Sequence, residues 1–233
     1  MLKLPSDLLL FVREKKEIEV AVMIDLYTWN TPNGRKVSIL LEELGVDYQV
    51  HAIDITKDEQ FAPEFLSISP NNKIPALVDR EHDIKLMESG AIMIYLADKF
   101  DRFLPSEGGD RYWVLEWLMW QMGGLGPMAG QTHHFVHFHP GISDYAEKRF
   151  STETTRLYGV LNTQLEDTGR FIAGDYSIAD MAAWPWVARY QWQGINLREF
   201  PHVARWYKEI LQRPAAQRGY HVPNELGDIP SGD

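Results

Sequence analysis

Two short segments of this chain combine residue types that could hold a small peptide. Pro75 stands where a strand should begin, and proline is tolerated there because it has no N–H to contribute to a β-ladder. The bond before a proline can be cis, which would leave the N–H and C=O of Ile74 for a ligand's own peptide groups. Further on, Glu88-Ser89 opens an apolar helix, whose unpaired N–H groups favour a carboxylate. Glu88 could hold an ammonium and Ser89 a carboxylate of one ligand.

A third segment, Thr31-Pro32-Asn33-Gly34, has the residue types of a helix start. With Thr31 as N-cap and Pro32 as the first helical residue, the amides of Asn33 and Gly34 are expected to point at a ligand. Hydrogen-bond donors and a helix N-terminus can lower a thiol pKa to about 3.5 to 7.5. The Thr31 hydroxyl and the Asn33 amide are therefore both candidates to stabilise a thiolate. Since the chain has no cysteine, the sulfur must come from the ligand.

The elements that position these residues alternate strand and helix from Met23 onward. A strand at 24–27, a helix at 36–44 ended by Gly45, and a strand at 48–53 predict a βαβ unit. A hairpin follows, with its second strand at 84–87, and closes onto the helix after Ser89. This order predicts a thioredoxin-like α/β half.

The second half is predicted to be all helical. Proline and glycines at 104–109, which interrupt regular secondary structure, mark a domain boundary. The run 113–122 is apolar on most sides of a helix, which predicts that it is buried or forms an interface. Its tryptophans are interpreted first as core, then as a subunit interface, and last as a substrate pocket around Trp120. Glycines and a proline at 123–127 should interrupt or kink the helix. The predicted units are an extension 1–22, a thioredoxin-like domain 23–103, a linker 104–110, a helical domain 111–220 and a tail 221–233.

Composition restricts the partners of the chain. Its 233 residues are 45% apolar, which fits a globular protein with one large core or two modest ones. A net charge of -10 repels phosphate backbones and disfavours nucleic acid as a direct partner. Residues 1–22 contain only a brief apolar run, too short for a secretory signal or a membrane span. They are either a true appendage or the product of an upstream start codon.

Five motifs occur in order along almost all of the chain after Met23. They are T-P-N-G, S-P-N-N-K-I-P-A, E-S-G-A-I, W-x-x-G-G-L-G-P-M and Y-S-I-A-D-x-A-x-W-P-W. Together they resemble the glutathione transferase family, in particular its bacterial Nu class and the related fungal nitrogen-regulation proteins. The resemblance implies glutathione as cosubstrate without a metal, and a cytoplasmic homodimer with its site near the subunit interface.

The resemblance also implies a role for each site residue. Thr31 and Asn33 would be catalytic, and Asn33 would also bind glutathione. Gln60 and Lys73 would meet the glycyl carboxylate, Ile74 the cysteinyl unit, and Glu88 and Ser89 the γ-glutamyl group. Arg149 matches a family arginine of the helical domain that approaches glutathione, although by sequence alone it is a solvated helix charge.

The Nu-class resemblance favours reduction of small disulfides by two glutathione molecules, through a mixed disulfide. Two alternatives remain open. The same thiolate could conjugate an electrophile or reduce a peroxide, or the protein could be a glutathione-binding regulator without important catalysis. The fungal regulator carries a long Asn-rich extension, and residues 1–22 are neither long nor Asn-rich.

Three other features are predicted to be structural. Ser177 and Asp180 have the spacing of a capping box, and Tyr27 is assigned to packing. The four histidines between 133 and 139 include one pair with metal-ligand spacing, but no third strong ligand is obvious. We expect hydrogen-bonded or surface histidines there and no functional metal.

Overall fold

The computed structural model describes residues 23–225 and 227–233, so the predicted extension 1–22 lies outside the described residues. Within these ranges the strands form one four-stranded sheet of order β2-β1-β3-β4. The strands are β1 (Ile24–Thr28), β2 (Tyr48–Ala52), β3 (Ala76–Asp79) and β4 (Ile84–Met87). β2 runs parallel to β1, whereas β3 is antiparallel to both β1 and β4. The βαβ unit and the hairpin predicted from sequence are confirmed.

Three helices belong to this half: α1 (Pro32–Leu44), α2 (Pro63–Leu66) and α3 (Ser89–Phe100). Short 3-10 turns at Ile55–Lys57 and Glu59–Phe61 connect β2 to α2. Gly45 ends α1 with a φ of 69°, and its N–H bonds the carbonyls of Leu41 and Glu42. A left-handed residue at this position is what glycine supplies at a helix C-terminus. This half is thioredoxin-like.

The rest of the chain is helical, as predicted. The helices are α4 (Gly108–Trp120), α5 (Gly126–Thr132), α6 (Asp144–Asp167), α7 (Ile178–Val187), α8 (Pro201–Leu211) and α9 (Pro214–Tyr220). Further 3-10 turns lie at Tyr190–Gln193 and Leu197–Glu199, and π turns at Gln121–Leu125 and His133–Phe138. The first π turn is the interruption expected near 123–127. α4 begins inside the predicted linker 104–110.

The apolar helix α4 has one buried side. Val114 and Leu118 lie in the core, but Trp113 is 41% exposed and Met119 is 51% exposed. Interpreting every tryptophan of this helix as core was therefore wrong for Trp113. The burial of only one side leaves an apolar surface, which is the pattern expected of an interface.

α7 anchors the core of the helical half. The capping box is confirmed: the N–H of Ser177 donates to Asp180 at 3.0 Å, and the Ser177 hydroxyl oxygen accepts from the N–H of Ala179. Asp180 also accepts the indole N–H of Trp206 at 2.9 Å and the N–H of Ile172. The role of Asp180 is structural, as its spacing predicted.

α9 joins the two halves by packing directly on α1. The Ser38 hydroxyl donates to the Gly219 carbonyl at 2.6 Å. A Cβ at Gly219 would lie 2.5 Å from the Cα of Ile39, so only glycine permits this approach. α1 thus packs against α3 of the first half and against α7 and α9 of the helical half.

Candidate active site

A cavity of about 140 Å³ lies where the N-termini of α1 and α3 meet the start of β3. Asn33, Ile74, Glu88, Ser89 and Met122 contribute to its lining. The Ile74–Pro75 bond is cis, as the sequence allowed. Within the described residues, the N–H of Ile74 donates no hydrogen bond and its C=O accepts none. A ligand with its own peptide groups can therefore pair with the backbone here.

Thr31 is the N-cap of α1, as predicted. Its hydroxyl oxygen accepts the N–H of Gly34 at 3.2 Å. The expectation that the Gly34 amide points at a ligand was wrong, because the cap already occupies that N–H. The Thr31 hydroxyl keeps its own proton to donate. A Cβ at Gly34 would lie 2.3 Å from the Trp29 carbonyl oxygen, so glycine lets the helix start close to the end of β1.

Asn33 is oriented by a residue of the helical half. The indole N–H of Trp186 donates to the Asn33 side-chain oxygen at 3.2 Å. An indole nitrogen is only a donor, so the oxygen of the amide must face Trp186. The Asn33 amide nitrogen is then directed away from Trp186, and Asn33 lines the cavity. Among the described residues this nitrogen donates no hydrogen bond, so it is available to a ligand.

Glu88 reaches the cavity through an unusual backbone conformation. Its φ is 69°, a left-handed value that non-glycine residues seldom adopt and that recurs at ligand-binding positions. Its carbonyl accepts the N–H of Ile92 and so begins α3. Ser89, the next residue, is 4% exposed and lies at the first turn of α3. A carboxylate and a helix N-terminus are thus adjacent at one wall.

Comparisons with known proteins agree with this geometry. The family model described as "Glutathione S-transferase, N-terminal domain" matches residues 22–98. The model described as "Glutathione S-transferase, C-terminal domain" matches residues 126–214. The chain belongs to the glutathione S-transferase family. The first match contains the sheet, α1 and most of α3. The second contains α7 with Trp186, which this transferase uses to orient Asn33 at the cavity.

Individual relatives of this transferase carry more specific names. Disulfide-bond oxidoreductase YfcG of Escherichia coli K12 is 48% identical over 211 residues, which are 88% of this chain and 98% of that protein. A Pseudomonas putida glutathione transferase, solved with one glutathione disulfide per subunit, is 41% identical with a TM-score of 0.82 and covers 89% of this chain and 95% of its own. A Burkholderia graminis glutathione transferase was solved with two glutathione molecules per subunit. It is 42% identical with a TM-score of 0.81, and the match covers 86% of this chain and 88% of its own.

The structure brings most of the residues predicted from sequence to one place. Asn33, Lys73, Ile74, Glu88 and Ser89 all line the same cavity. Thr31 lies two residues from Asn33, outside the lining itself.

Two predicted site residues lie elsewhere. Gln60 lies in the turn Glu59–Phe61, with its side-chain nitrogen 3.5 Å from a carboxylate oxygen of Asp58, and does not line the cavity. Arg149 lies on α6 and lines a separate cavity of about 630 Å³ together with Tyr145. For both residues, contact with glutathione stays a prediction.

Sequence reasoning missed three residues that support the cavity: Lys36, Met122 and Trp186. Lys36 is 1% exposed, and its ammonium donates to the Ser89 hydroxyl oxygen at 3.3 Å and lies 3.2 Å from the Met122 sulfur. The available signal was its place four residues before Leu40, on the buried side of α1. For Trp186 no local signal existed, because its partner Asn33 is 153 residues away.

Two of the histidines between 133 and 139 make defined hydrogen-bonding or stacking contacts. His133 is 6% exposed and shares a hydrogen bond of 3.1 Å with Gln193, and burial lowers the pKa of His133 to about 4. His137 stacks on Trp192 with ring centroids 4.4 Å apart. The hydrogen-bonding role expected for these histidines holds for His133.

One cluster of acidic and histidine side chains has the spacing of a metal site. Among residues 23–225 and 227–233, it is the one group of three or more such side chains whose potential metal-ligand atoms lie within 4.8 Å of one another, and it consists of Asp79, Glu81 and His82. The Lys99 ammonium donates to Glu81 at 2.7 Å, to His82 at 3.2 Å and to Asp79. The Lys99 hydrogen bonds hold the pKa of Glu81 below its usual range. This cluster is an ion pair around a lysine.

Across the described part of the chain, no helix has both the length and the apolar character needed to cross a bilayer.

Proposed function

We propose that this transferase reduces small disulfides with glutathione, using the thiolate of bound glutathione as the nucleophile. The observation that carries the proposal is the orientation of Asn33, whose amide nitrogen is turned away from Trp186 at the cavity. A donor at this position stabilises a thiolate and not a protonated thiol. The absence of cysteine from the chain assigns the nucleophile to the ligand. The name of the 48% identical relative, disulfide-bond oxidoreductase, supports this choice of reaction.

In the proposed complex the peptide lies across the cavity. Glu88 pairs with the γ-glutamyl ammonium, and Ser89 with its carboxylate at the N-terminus of α3. The backbone of Ile74 pairs with the cysteinyl unit in the manner of an added strand. Lys73 meets the glycyl carboxylate, with Gln60 as a second contact. This arrangement directs the sulfur toward Thr31 and Asn33 at the start of α1.

The reaction proceeds in two exchanges. The glutathione thiolate attacks one sulfur of the substrate disulfide, so that a mixed disulfide forms and the other substrate half leaves as a thiolate. A second glutathione thiolate then attacks the glutathione sulfur of the mixed disulfide. Oxidised glutathione forms and the remaining substrate half leaves as a thiolate. Two glutathione molecules are oxidised and one disulfide is reduced to two thiols.

The assembly and the location complete the proposal. We propose a homodimer, since exposed apolar side chains occur on and near α4, and contiguous surfaces of this kind mark interfaces. They include Tyr112, Trp113 and Met119. We place the protein in the cytoplasm, where the reduced glutathione pool can supply the thiol. Arg149 remains a proposed glutathione contact, and the domains are proposed at 23–103 and 111–220 with linker 104–110 and tail 221–233.

The decisive experiment is reduction of 2-hydroxyethyl disulfide by glutathione, coupled to glutathione reductase, on purified protein. We expect turnover that needs glutathione and that falls in Thr31→Ala. Turnover with an aryl halide or a hydroperoxide but none with disulfides would replace the proposal by conjugation or peroxide reduction. Glutathione binding measured by calorimetry, with no turnover on any of these substrates, would favour a regulator.

A further inference from the structure

Lys36 is a buried lysine that lies behind the candidate cavity, and it pairs with no carboxylate among the described residues. Its side chain is 1% exposed on α1. Among the described residues its ammonium contacts one hydroxyl oxygen, that of Ser89, and one thioether sulfur, that of Met122. An ammonium has three donors, and burial without an opposite charge is costly. The fold retains this lysine although the free protein offers it poor compensation.

The ionisable groups around Lys36 do little to compensate its charge. Glu88 is the one carboxylate whose charge favours the ammonium, and it forms no ion pair with Lys36. On α1 itself, Arg35 is also buried, with its guanidinium bonded to the Tyr220 carbonyl of α9. The ionisable side chain that α7 contributes is Asp180, which is held by its capping box.

The remaining neighbours add no negative charge. On α9, the guanidinium of Arg218 is paired with Glu42, which lies at the far end of α1. The π turn Gln121–Leu125 and the first turn of α3 contain no ionisable side chain. Burial lowers the pKa of the Lys36 ammonium to about 7. The negative charge of Glu88 acts in the opposite direction but is the smaller effect.

The geometry couples this lysine to the cavity wall. Lysine has no acceptor, so the Ser89 oxygen must accept from Lys36 when the ammonium is charged. The Ser89 hydroxyl proton is then directed elsewhere. In the free protein it reaches the Met122 sulfur at 3.6 Å, and a thioether is a weak acceptor. Since Ser89 and Met122 both line the cavity, a bound carboxylate would be the better acceptor.

We infer that Lys36 is a positioning residue for the γ-glutamyl carboxylate of glutathione: it holds Ser89 as a donor and becomes protonated when that carboxylate binds. The inference rests on the proposed function for the identity of the ligand. Lys36 acts through Ser89 and from beneath the cavity, so it supplies charge without contacting the ligand. Binding an anion over Ser89 raises the proton affinity of Lys36, and by linkage the complex takes up a proton.

The test is calorimetric titration of the protein with S-methylglutathione at pH 8, in buffers of different ionisation enthalpy. This ligand carries no titratable thiol, and uptake by its own ammonium is the same in every protein variant. The dependence of the binding enthalpy on the buffer gives the number of protons bound. With a free-state pKa of about 7, Lys36 should add roughly 0.9 proton in the wild type.

Two substitutions isolate the lysine. Lys36→Met fills the same space without a charge, and we expect it to lose the Lys36 share of the proton uptake. Lys85→Met removes an exposed lysine of β4 and should keep the uptake unchanged. Above pH 7 the wild-type affinity should also fall more steeply than that of Lys36→Met, by up to a further tenfold per pH unit, because only the wild type adds the Lys36 proton to that of the ligand ammonium.

Each outcome decides the inference. Equal proton uptake by the wild type and Lys36→Met, with binding intact, would overturn it and leave the proposed function standing. If wild-type protein does not bind S-methylglutathione at all, the proposed function fails and the inference fails with it. Should Lys36→Met not fold, the wild-type series alone decides, because an affinity that falls between pH 7 and pH 9 only as far as deprotonation of the ligand ammonium requires would overturn the inference.

Discussion

The indole nitrogen of Trp186 donates to the side-chain oxygen of Asn33 at 3.2 Å, across 153 residues of chain. The contact joins α7 of the helical half to the first turn of α1, where the proposed thiolate would lie. It turns the amide oxygen of Asn33 toward Trp186 and leaves the amide nitrogen as the available donor. The helical half therefore contributes to the chemistry of the proposed site as well as to the stability of the fold.

Trp186→Phe should lower disulfide-reductase turnover by about fivefold, since a neutral hydrogen bond contributes about 1 kcal/mol and the freed amide can turn its oxygen to the sulfur. The acid limb of the pH–rate profile should move to higher pH, because the thiolate loses a donor. Steady-state rates between pH 5 and pH 9 check this. Trp192→Phe is the matched control, since Trp192 stacks on His137 and makes no bond to Asn33. A larger loss in the control than in Trp186→Phe would contradict the prediction.

Thr31→Ala should lower turnover by about tenfold or more and affinity for glutathione by less, because a hydrogen bond to a charged group is worth about 1.5 to 3 kcal/mol. The substitution also removes the cap on Gly34, at a cost of about 1 kcal/mol in stability. Thr31→Ser keeps the hydroxyl and the cap, so it should retain most of the rate. Rates paired with calorimetric affinities test the split. A weakened affinity with unchanged turnover would assign Thr31 to binding.

Glu88→Gln should raise the dissociation constant of glutathione by about 10 to 100-fold with little change in turnover at saturation. The reason is that the proposed partner of Glu88 is the γ-glutamyl ammonium, which is remote from the sulfur. Glu116→Gln changes an exposed acid of α4 in the same way and should bind normally. Calorimetry on the three proteins gives the comparison. An unchanged dissociation constant in Glu88→Gln would remove the glutamate from the site.

The stability of the protein should show the titration of Lys36 directly. The folded pKa of about 7 lies below the value of about 10.4 expected in the unfolded chain. Between these values the unfolded chain binds more protons, so the free energy of unfolding contributed by this group rises with pH. Relative to Lys36→Met, the wild type should gain about 1 to 2 kcal/mol between pH 7.5 and pH 9. Urea unfolding at both pH values measures the gain, and a constant difference between the proteins would contradict it.

Asp180→Ala should lower the free energy of unfolding by about 3 kcal/mol, because it leaves the buried N–H groups of Ser177, Ile172 and Trp206 without their acceptor. Turnover per folded molecule should stay near the wild-type value. Asp167→Ala, at an exposed position at the end of α6, should change stability by less than about 0.5 kcal/mol. Urea unfolding and active-site titration separate the two effects. Equal losses of stability in both variants would contradict the role given to Asp180.

Local patterns in the sequence predicted the features whose partners lie within a few residues. The capping box of Ser177 and Asp180, the Thr31 cap and the left-handed Gly45 each depend on a backbone geometry of one helical turn. The strands, the βαβ unit and the hairpin followed from the alternation of apolar segments. These predictions are confirmed because residue type and short spacing already contain the interaction.

The prediction for Gly34 shows where local reasoning stops. Its residue type marked the turn correctly, but which N–H groups remain available depends on the rotamer that Thr31 adopts in the folded chain. The interpretation of Trp113 as core was wrong for a related reason. A helix that is apolar on most sides does not reveal which side another element will cover.

By itself the sequence determined the elements, their caps, the family resemblance and the candidate residues Asn33, Ile74, Glu88 and Ser89. Only the tertiary structure decided that these residues share one cavity, that Trp186 orients Asn33, and that Lys36 lies buried behind Ser89. The physical reason is the range of the interactions. Caps and strand patterns act between near neighbours along the chain, whereas burial and long-range hydrogen bonds exist only after α7, α9 and α3 have packed on α1.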